Sequence, residues 1–393
     1  MNPFSTVTRL LQQITIVFIA ACALSAGASD QKSLRDTAKP DVRANKAPPS
    51  HGHAGNSKRA KRSKPAAPRK AETVGSPYAS RADAMHAADG IAQRLGLEPQ
   101  WVRQTIGQAN YMPGIARAIS PPPVGTQKNW TVYRSRFIDS VRINAGVKFW
   151  RDNRETLERA EQQTGVPAGI IVGIIGVETI YGQQVGTYRV MDALCTLAFD
   201  FPTQHPRAQA RSAFFLSELE AFLALTQRTG TDPMALRGSY AGAMGLPQFM
   251  PSSWSKYAVD FDGDGRTDLF HSAADVIGSV ANYFKAFNWR PGMPTHYAVH
   301  LHAEGLDKAA LLAPDILPTF SASAMVAKGA ELDISAMQHS GPLALVELQD
   351  GDRPALYLAG TENFYAITRY NWSSYYALAV IELGQEVTNA MSK

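Results

Sequence analysis

The spacing of apolar residues predicts helices in the first part of the sequence. From residue 81 to about residue 226, apolar residues recur every three or four positions, and alanine, glycine and proline separate the segments. This spacing is that of amphipathic helices. One such helix is predicted to end at Gly165, because glycine readily adopts the left-handed conformation that terminates helices. Its apolar positions are Val147, Trp150, Leu157 and Ala160.

A second helix is predicted after Pro167. Nearly every position from 170 to 177 is apolar, so this helix has no polar face and we expect it to be buried. Between about residues 295 and 365 apolar and polar residues alternate, which predicts strands, and Asp350-Gly351 indicates a turn. A last helix is predicted at about residues 373–388. The expected fold is therefore a mainly helical α+β fold with a small inserted β-subdomain.

The basic charge of the sequence is confined to its N-terminal part. The formal net charge is +5, but residues 1–76 contain thirteen basic and four acidic residues, so the remainder is close to −4. Residues 29–77 are rich in Lys, Arg, Ala, Pro and Ser and have almost no large apolar side chains, which predicts a disordered tether. Contact of this tether with anionic lipid or wall polymer is left open. Nucleic acid is not an expected partner, because the folded part, residues 78–393, is not basic.

The first 28 residues have the features of a signal peptide. Arg9 precedes an apolar run at residues 14–21, which is long enough for export but too short to span a membrane. The sequence Ile-Ala-Ala-Cys ending at Cys22 is similar to a bacterial lipobox, so we expect lipidation of Cys22 and anchoring at the periplasmic side of the outer membrane. Cleavage after Ala28 also fits the sequence and would release a soluble periplasmic protein.

Glu178 is the candidate catalytic acid. It lies near the end of the buried helix, on the same face as Ile171 and Ile174, so its carboxyl group is expected to face apolar surface. Burial of a carboxyl group raises its pKa, which suits a general acid near neutral pH. A structural glutamate that reaches solvent or pairs with Arg189 fits the local sequence equally well.

Two further segments have the composition of a sugar-binding groove. Residues 239–254 combine small residues, which let backbones approach closely, with hydroxyl and amide side chains. Residues 367–376 concentrate aromatic and amide side chains at the start of the last helix. Aromatic faces stack on sugar rings and amides bind hydroxyl groups, although each segment alone is also compatible with a structural role.

These motifs together resemble the family of membrane-bound lytic murein transglycosylase B. The resemblance rests on Gly-Val-Glu-Thr with Tyr-Gly, Ala-Gly-Ala-Met-Gly with Gln-Phe-Met-Pro-Ser, and Arg-Tyr-Asn with a later Tyr, in this order. It covers about residue 81 to the end of the sequence and implies a lysozyme-like core with a helical subdomain and the small β-subdomain. It also implies binding of peptidoglycan glycan strands by Ser239, Gln248, Tyr283, Tyr370, Asn371 and Tyr376. Stem peptides are expected near Arg211, although the family's adjacent pair of arginines is missing here.

The resemblance also implies a reaction with one carboxylate. Ordinary glycosidases need two carboxylates, and the sugar-binding segments supply no obvious second one. In the family reaction, the glutamate protonates the oxygen between MurNAc and GlcNAc and then takes the proton of the muramic acid's own 6-hydroxyl, which gives a 1,6-anhydro sugar. Two alternatives remain at this point. One is a catalytically idle peptidoglycan-binding protein, and the other is a hydrolytic muramidase.

Residues 260–275 are predicted to bind calcium. Oxygen ligands at loop positions 1, 3, 5, 7 and 9, with glycine at position 6, are typical of an EF-hand loop. Position 12 is His271 where an EF-hand has glutamate, and the family resemblance implies a longer loop that Asp275 closes. The predicted ligands are Asp260, Asp262, Asp264, the backbone carbonyl of Arg266, Asp268 and Asp275. We expect a structural Ca²⁺, no organic cofactor and a monomer; an exposed acidic turn without metal is the alternative.

Overall fold

The computed structural model describes residues 75–120, 127–302 and 305–392. The predicted signal peptide, Cys22 and nearly all of the predicted tether lie outside these residues. Within the described ranges, no helix has both the length and the apolar character needed to cross a membrane.

The first part of the described chain is helical. A 3-10 helix at Tyr78–Ser80 precedes α1 (Ala82–Leu95), α2 (Pro99–Gly107), α3 (Pro113–Ala118), α4 (Trp130–Arg134), α5 (Ser140–Asp152), α6 (Arg154–Thr164) and α7 (Ala168–Thr179). Two short antiparallel strands, β1 (Tyr188–Arg189) and β2 (Arg237–Gly238), then enclose α8 (Val190–Phe199) and α9 (Ala208–Thr229) in the sequence. They are followed by α10 (Pro251–Tyr257) and α11 (Ala273–Ala286).

A four-stranded sheet and three short helices follow α11, within the range predicted for the β-subdomain. In chain order they are β3 (His296–Leu301), α12 (Lys308–Leu312), α13 (Ala322–Val326), β4 (Ala330–Leu332), α14 (Ile334–Met337), β5 (Ala344–Asp350) and β6 (Arg353–Gly360). The strands are antiparallel in the order β4-β3-β6-β5, and the predicted turn at Gly351 joins β5 to β6. Val299, Leu311, Met325 and Leu345 belong to a core separate from that of the helices. The chain ends with α15 (Glu362–Tyr370) and α16 (Ser374–Met391).

The single helix predicted across residues 147–160 is in fact two, α5 and α6. The break is at Asn153, whose backbone leaves the helical region with φ −124° and ψ 23°. The side-chain amide of Asn153 donates to the carbonyl of Phe149 at 2.8 Å. Asparagine side chains compete with the backbone for such hydrogen bonds, so Asn153 ends one helix where the apolar spacing alone predicts continuity. Gly165 ends α6 with φ 70°, as predicted.

Helices α7 and α16 touch through their backbones. A Cβ atom on Gly173 of α7 would lie 2.3 Å from the carbonyl oxygen of Val380, and one on Gly384 of α16 would lie 2.2 Å from the carbonyl oxygen of Gly169. Real Cβ contacts are never this short, so only glycine fits at these positions. The close approach places the first turn of α16 against the C-terminal turn of α7.

We expect Gly173→Ala to lower the free energy of unfolding by about 1–3 kcal/mol, because the added methyl group must push two backbones apart. Gly90→Ala in α1 is the matched control: there, the new Cβ would meet only the flexible end of Arg94, at 3.1 Å. This control should raise the stability by about 0.5–1 kcal/mol through helix propensity. Urea unfolding of both variants measures the difference, and a Gly173→Ala variant as stable as the parent protein would contradict the contact.

Candidate active site

Glu178 lies in the last turn of α7, where its carboxyl group is half-buried. The predicted apolar neighbours Ile171 and Ile174 are fully buried on the same helix. Tyr376, in the first turn of α16, is also fully buried, and its hydroxyl group donates to Oε1 of Glu178 at 2.7 Å. The packing of α7 on α16 thus brings together a carboxyl group and one oriented hydrogen-bond donor.

Burial raises the pKa of Glu178 from its ordinary value of 4.5 to about 7, and the hydrogen bond from Tyr376 opposes the rise. Among the described residues, no charged group contributes to this shift. The alternative partner Arg189 pairs instead with Asp192 at 2.8 Å, so the structure does not show the ion pair between Arg189 and Glu178. Asp192 also accepts the backbone N–H of Asn110 at 2.9 Å. Its carboxylate therefore links Arg189 of β1 to the segment that precedes α3.

The chain turns sharply after Glu178. Ile180 and Tyr181 have φ values of 50° and 54°, in a left-handed region that is rare for residues other than glycine and especially for β-branched ones. Thr179 holds this turn: its Oγ1 accepts the N–H of Gly182 at 3.1 Å and donates to the carbonyl of Leu246 at 2.9 Å. The end of the helix that bears Glu178 is thereby fixed to the loop at residues 239–250.

That loop orients Ser239 and Gln248, two of the predicted sugar-binding residues. Ser239 Oγ accepts the backbone N–H of Ala243 at 3.0 Å, and Gln248 Nε2 donates to the carbonyl of Gly245 at 2.9 Å. Gly245 has φ 73°, and a Cβ there would lie 2.5 Å from the carbonyl oxygen of Leu269. Both polar side chains remain partly exposed, so they are oriented by the loop and accessible from solvent.

An aromatic wall lies beside Glu178. The ring of Tyr370 stacks on that of Tyr376 with centroids 6.4 Å apart, and the ring of Tyr283 lies 4.8 Å from Tyr370. Tyr370 donates its hydroxyl hydrogen to the carbonyl of Pro247, and Tyr283 donates to the carbonyl of Arg369 at 2.6 Å. Tyr283 is only 6% exposed and its hydroxyl is engaged, so its place is behind Tyr370. The structure therefore brings together the predicted aromatic residues, with Tyr283 as a support.

Asn371 comes directly after Tyr370, where α15 ends. It is 6% exposed, and its carbonyl accepts the N–H of Ser373, the residue that caps α16. The predicted amide thus lies in the turn between Tyr370 and Tyr376.

Tyr133 belongs to the same site, although no sequence motif indicated it. Its ring packs edge-on against Tyr375 at 5.6 Å, and its pKa is raised by burial and then by the negative charge of Glu178. Trp130, Tyr133 and Phe137 follow a helical spacing of three and four, which is the one signal that could have predicted an aromatic cluster here.

Arg211 is buried. It is 4% exposed, and its guanidinium group lies 5.7 Å and 5.3 Å from the ring centres of Phe214 and Phe215. Burial lowers the pKa of Arg211 to about 10. The predicted contact with a stem peptide does not fit this position, because a charged ligand would have to enter the core to reach the guanidinium.

The predicted calcium loop brings three exposed carboxylates together. Carboxylate oxygens of Asp260, Asp262 and Asp264 lie within 4.8 Å of one another, and each can offer one ligand atom. Such a group of oxygens fits a hard cation. Arg266, two residues after Asp264, donates its backbone N–H to Asp264 at 2.8 Å.

The other two predicted carboxylate ligands lie outside this group. Asp275 is 1% exposed and accepts the N–H groups of Phe261 and Asp268, both at 2.7 Å. Burial raises the pKa of Asp275, and the negative charges of Asp262 and Asp260 raise it further. Asp268 accepts the backbone N–H groups of its neighbours Phe270 and His271. In this structure, Asp275 closes the loop by hydrogen bonds.

The chain is similar to known proteins over most of its length. The family described as the transglycosylase SLT domain matches residues 80–385. Membrane-bound lytic murein transglycosylase B of Escherichia coli is 39% identical over 326 residues, 81% of this chain and 86% of that protein.

Solved structures show the same fold. The E. coli lytic transglycosylase Slt35 in complex with bulgecin A is 38% identical, with a TM-score of 0.72 over 82% of this chain and 98% of that one. Slt35 in complex with calcium gives a TM-score of 0.71 at 38% identity, over 82% and 97% of the two chains. SltB3 of Pseudomonas aeruginosa in complex with NAG-NAM-pentapeptide is 29% identical, with a TM-score of 0.64 over 77% and 79%.

The predicted mainly helical, lysozyme-like α+β fold is therefore confirmed. Because the domain match spans most of the chain and the E. coli relative is 39% identical over most of both lengths, the chain belongs to the SLT-domain family of lytic murein transglycosylases.

Proposed function

We propose that Glu178 alone performs the acid and base steps by which this lytic transglycosylase cleaves the MurNAc-GlcNAc bond of peptidoglycan. The observation that carries this proposal is the half-buried carboxyl group with a pKa of about 7 and a single donor, Tyr376, at 2.7 Å. A carboxyl group with this pKa is protonated in a large share of molecules at neutral pH and is still able to act as a base after it has given up its proton.

The two steps balance without an external water. Glu178 first donates its proton to the oxygen between the sugars, and the bond from that oxygen to C1 of MurNAc breaks as the oxygen takes the electron pair. The 6-hydroxyl oxygen of the same MurNAc then bonds to C1, and its proton passes to the Glu178 carboxylate. The enzyme returns to its starting state, and the products are a 1,6-anhydro-MurNAc end and a GlcNAc hydroxyl group. Tyr376 holds the carboxylate between the two steps by its hydrogen bond.

Binding groups lie near Glu178. The partly exposed Tyr370 can offer its ring to a sugar face, while the buried Tyr376 and Tyr283 pack against Tyr370 and support it. Ser239 and Gln248, together with Asn371, offer hydroxyl and amide groups for sugar hydroxyls. Binding of glycan strands by these residues is supported by their placement around one carboxyl group.

Two rival functions are less well supported. A hydrolytic muramidase needs a second carboxylate to activate water, and among the described residues no other carboxylate shifts the pKa of Glu178. A catalytically idle binding protein has no use for a desolvated carboxyl group, which costs stability at neutral pH. Mass spectrometry of the released muropeptides distinguishes the three, because the anhydro product is lighter than the hydrolytic product by one water.

Glu178→Gln should abolish release of anhydro-muropeptides, because glutamine keeps the size of the side chain but cannot exchange a proton. We expect a loss of about 10⁴ in rate, the upper end for one general acid/base group, since one carboxyl group serves both steps. Exposed Glu158→Gln on α6 is the control and should retain activity. Activity of a folded Glu178→Gln variant within tenfold of the parent would exclude the assignment.

The same variant should reveal the raised pKa without an activity assay. Between pH 4.5 and about 7 the native carboxyl group keeps a proton that the unfolded chain has released. The stability of the parent protein therefore falls as the pH rises through this window. Glutamine has no such proton, so the melting temperature of Glu178→Gln relative to the parent should increase from pH 4.5 to pH 8. A constant difference would show that the pKa is not raised.

We further propose that the loop at residues 260–275 holds a structural Ca²⁺. Asp260, Asp262 and Asp264 supply the oxygen ligands, and the backbone carbonyl of Arg266 completes the pattern. Asp268 and Asp275 lie outside the cluster, and we assign them to the loop's hydrogen bonds. The calcium complex of Slt35 supports the identity of the ion.

The loop at residues 260–275 packs against helices α6 and α11. The ring of Phe261 lies under Arg159 of α6, 4.2 Å from its guanidinium carbon, and fills the space that a Cβ on Gly278 of α11 would need. Helix α11 also bears Tyr283. An ordered loop therefore supports the wall behind the sugar site.

Removal of calcium by a chelator should lower the melting temperature, because binding to the native state at one hundred times Kd adds about 2.7 kcal/mol. Asp262→Ala should weaken calcium binding and reduce the effect of the chelator, whereas Asp152→Ala, at an exposed carboxylate in α5, should not. A melting curve of the parent protein that EDTA leaves unchanged would remove the calcium proposal.

We also propose that the protein acts in the periplasm, anchored to the outer membrane through a lipid on Cys22. The support is the sequence that ends at Cys22 and the membrane-bound description of the E. coli relative. Cys22→Ser should prevent lipidation and shift the protein from the membrane fraction to the soluble fraction. Identical processing and fractionation of the variant and the parent would favour cleavage after Ala28.

A further inference from the structure

The turn between β5 and β6 contacts the start of α4. Asp350, the last residue of β5, accepts the backbone N–H of Thr131 at Oδ1, 2.7 Å away, and the hydroxyl group of Thr131 at Oδ2, 3.0 Å away. The backbone N–H of Gly351 donates to the carbonyl of Lys128 at 3.1 Å. These hydrogen bonds tie the β-subdomain to the helix that bears Tyr133.

Asp350 acts as a second cap of α4. Thr131 is the second residue of this helix, where a backbone N–H has no partner within the helix. The local cap Asn129 accepts the N–H of Val132 at 2.9 Å, and Asp350 accepts that of Thr131. The side chain of Asp350 is 13% exposed, and Arg353 Nε lies 3.1 Å from its Oδ2. The pKa of Asp350 is lowered, chiefly by the N–H of Thr131, so the cap is a charged carboxylate at neutral pH.

Helix α4 brings Tyr133 to the acid. Tyr133 follows Thr131 by two residues, and its ring packs edge-on against that of Tyr375 at 5.6 Å. Burial and then the negative charge of Glu178 raise the pKa of Tyr133. Since an electrostatic effect of this kind declines with distance, the ring of Tyr133 lies near the carboxyl group and helps to exclude water from it.

The same turn also contacts α16. Tyr375 donates its hydroxyl hydrogen to the carbonyl of Gln349, the residue before Asp350, at 2.9 Å. The next residue of α16, Tyr376, donates to Glu178. Residues 349–351 therefore hold two of the helices that cover the acid.

Tyrosines, rather than ions, surround Glu178. Among the described residues, the titratable side chains that respond to its charge are Tyr133, Tyr370 and Tyr376, on α4, α15 and α16. These side chains are neutral at physiological pH. The protonation of Glu178 therefore depends on how well the three helices exclude water from it.

The position of α4 depends on contacts at its two ends, because a helix of five residues has little stability of its own. Its C-terminal residue Arg134 pairs with Glu382 of α16. We propose that Asp350 is a positioning residue for the lytic reaction, since its cap on α4 keeps Tyr133 packed beside Glu178. The proposal rests on the proposed function of Glu178 and gives the β-subdomain a part in catalysis.

The test is the pH dependence of kcat/KM for release of anhydro-muropeptides, which reports ionisation of the free enzyme. The first step needs protonated Glu178, so activity should fall as the pH rises through its pKa of about 7. In Asp350→Ala, water should reach the carboxyl group and lower this pKa toward the ordinary 4.5. The midpoint of the alkaline limb should therefore move down by about 1 pH unit, part of the effect of full burial. A merely structural defect would lower the rate at every pH and leave the midpoint in place.

Three further variants make the comparison specific. Asp350→Asn keeps an oxygen that can accept the N–H of Thr131, so it should keep the parent midpoint. Thr131→Val removes only the hydroxyl contact and should give a smaller shift in the same direction. The matched control is Glu347→Ala on the same strand, which breaks an ion pair with Lys308 at 2.5 Å rather than the cap on α4. It should leave the midpoint unchanged.

The pKa of Glu178 can also be followed without turnover. The melting temperature of Glu178→Gln relative to its parent should increase with pH by a smaller amount, and over a narrower pH range, when both proteins carry Asp350→Ala. Failure of the proposed function would appear instead as the absence of anhydro product from the parent enzyme, and would leave this comparison intact.

An unmoved midpoint in folded Asp350→Ala would overturn the proposal, as would an equal shift in Glu347→Ala. If Asp350→Ala does not fold, Thr131→Val decides in its place, and an unmoved midpoint there would have the same consequence.

Discussion

Glycines on α7 and α16 let the two helices meet backbone to backbone, and the geometry around Glu178 depends on this contact. Gly173 lies against the carbonyl of Val380, and Gly384 lies against that of Gly169. The distance between the helix axes decides whether the hydroxyl of Tyr376, one turn into α16, reaches the carboxyl group at the end of α7. A wider spacing would leave a desolvated acid with no donor, which is costly for a buried polar group.

The same burial that makes Glu178 chemically useful makes it a source of instability. A carboxyl group with a raised pKa favours the unfolded state as the solution becomes more alkaline. The end of α7 that bears this acid is held by Thr179, next to the left-handed turn at Ile180 and Tyr181. Strained backbone of this kind persists only where neighbouring contacts determine it completely, and such positions are common at active sites.

Much of the architecture follows from local sequence. The fully apolar stretch before Glu178 and the alternation in the β-subdomain both indicated the correct element type. The three motifs also come together in the fold, because Thr179 contacts Leu246 and Tyr370 contacts Pro247. The failures have physical causes. Asn153 breaks a helix through a side-chain hydrogen bond, which apolar spacing does not register. Burial of Arg211 and the hydrogen bonds of Asp275 depend on tertiary neighbours, as does the approach of Tyr133 to the acid, so no local pattern reports them.

The hydrogen bond between Tyr376 and Glu178 joins residues 198 positions apart. A non-local contact of this kind requires order in the chain between its two partners. In a chain whose last helix is undocked, the buried side of α7 is exposed and Glu178 has no donor from Tyr376. An intact C-terminal helix is therefore a condition for the assembled geometry around the acid.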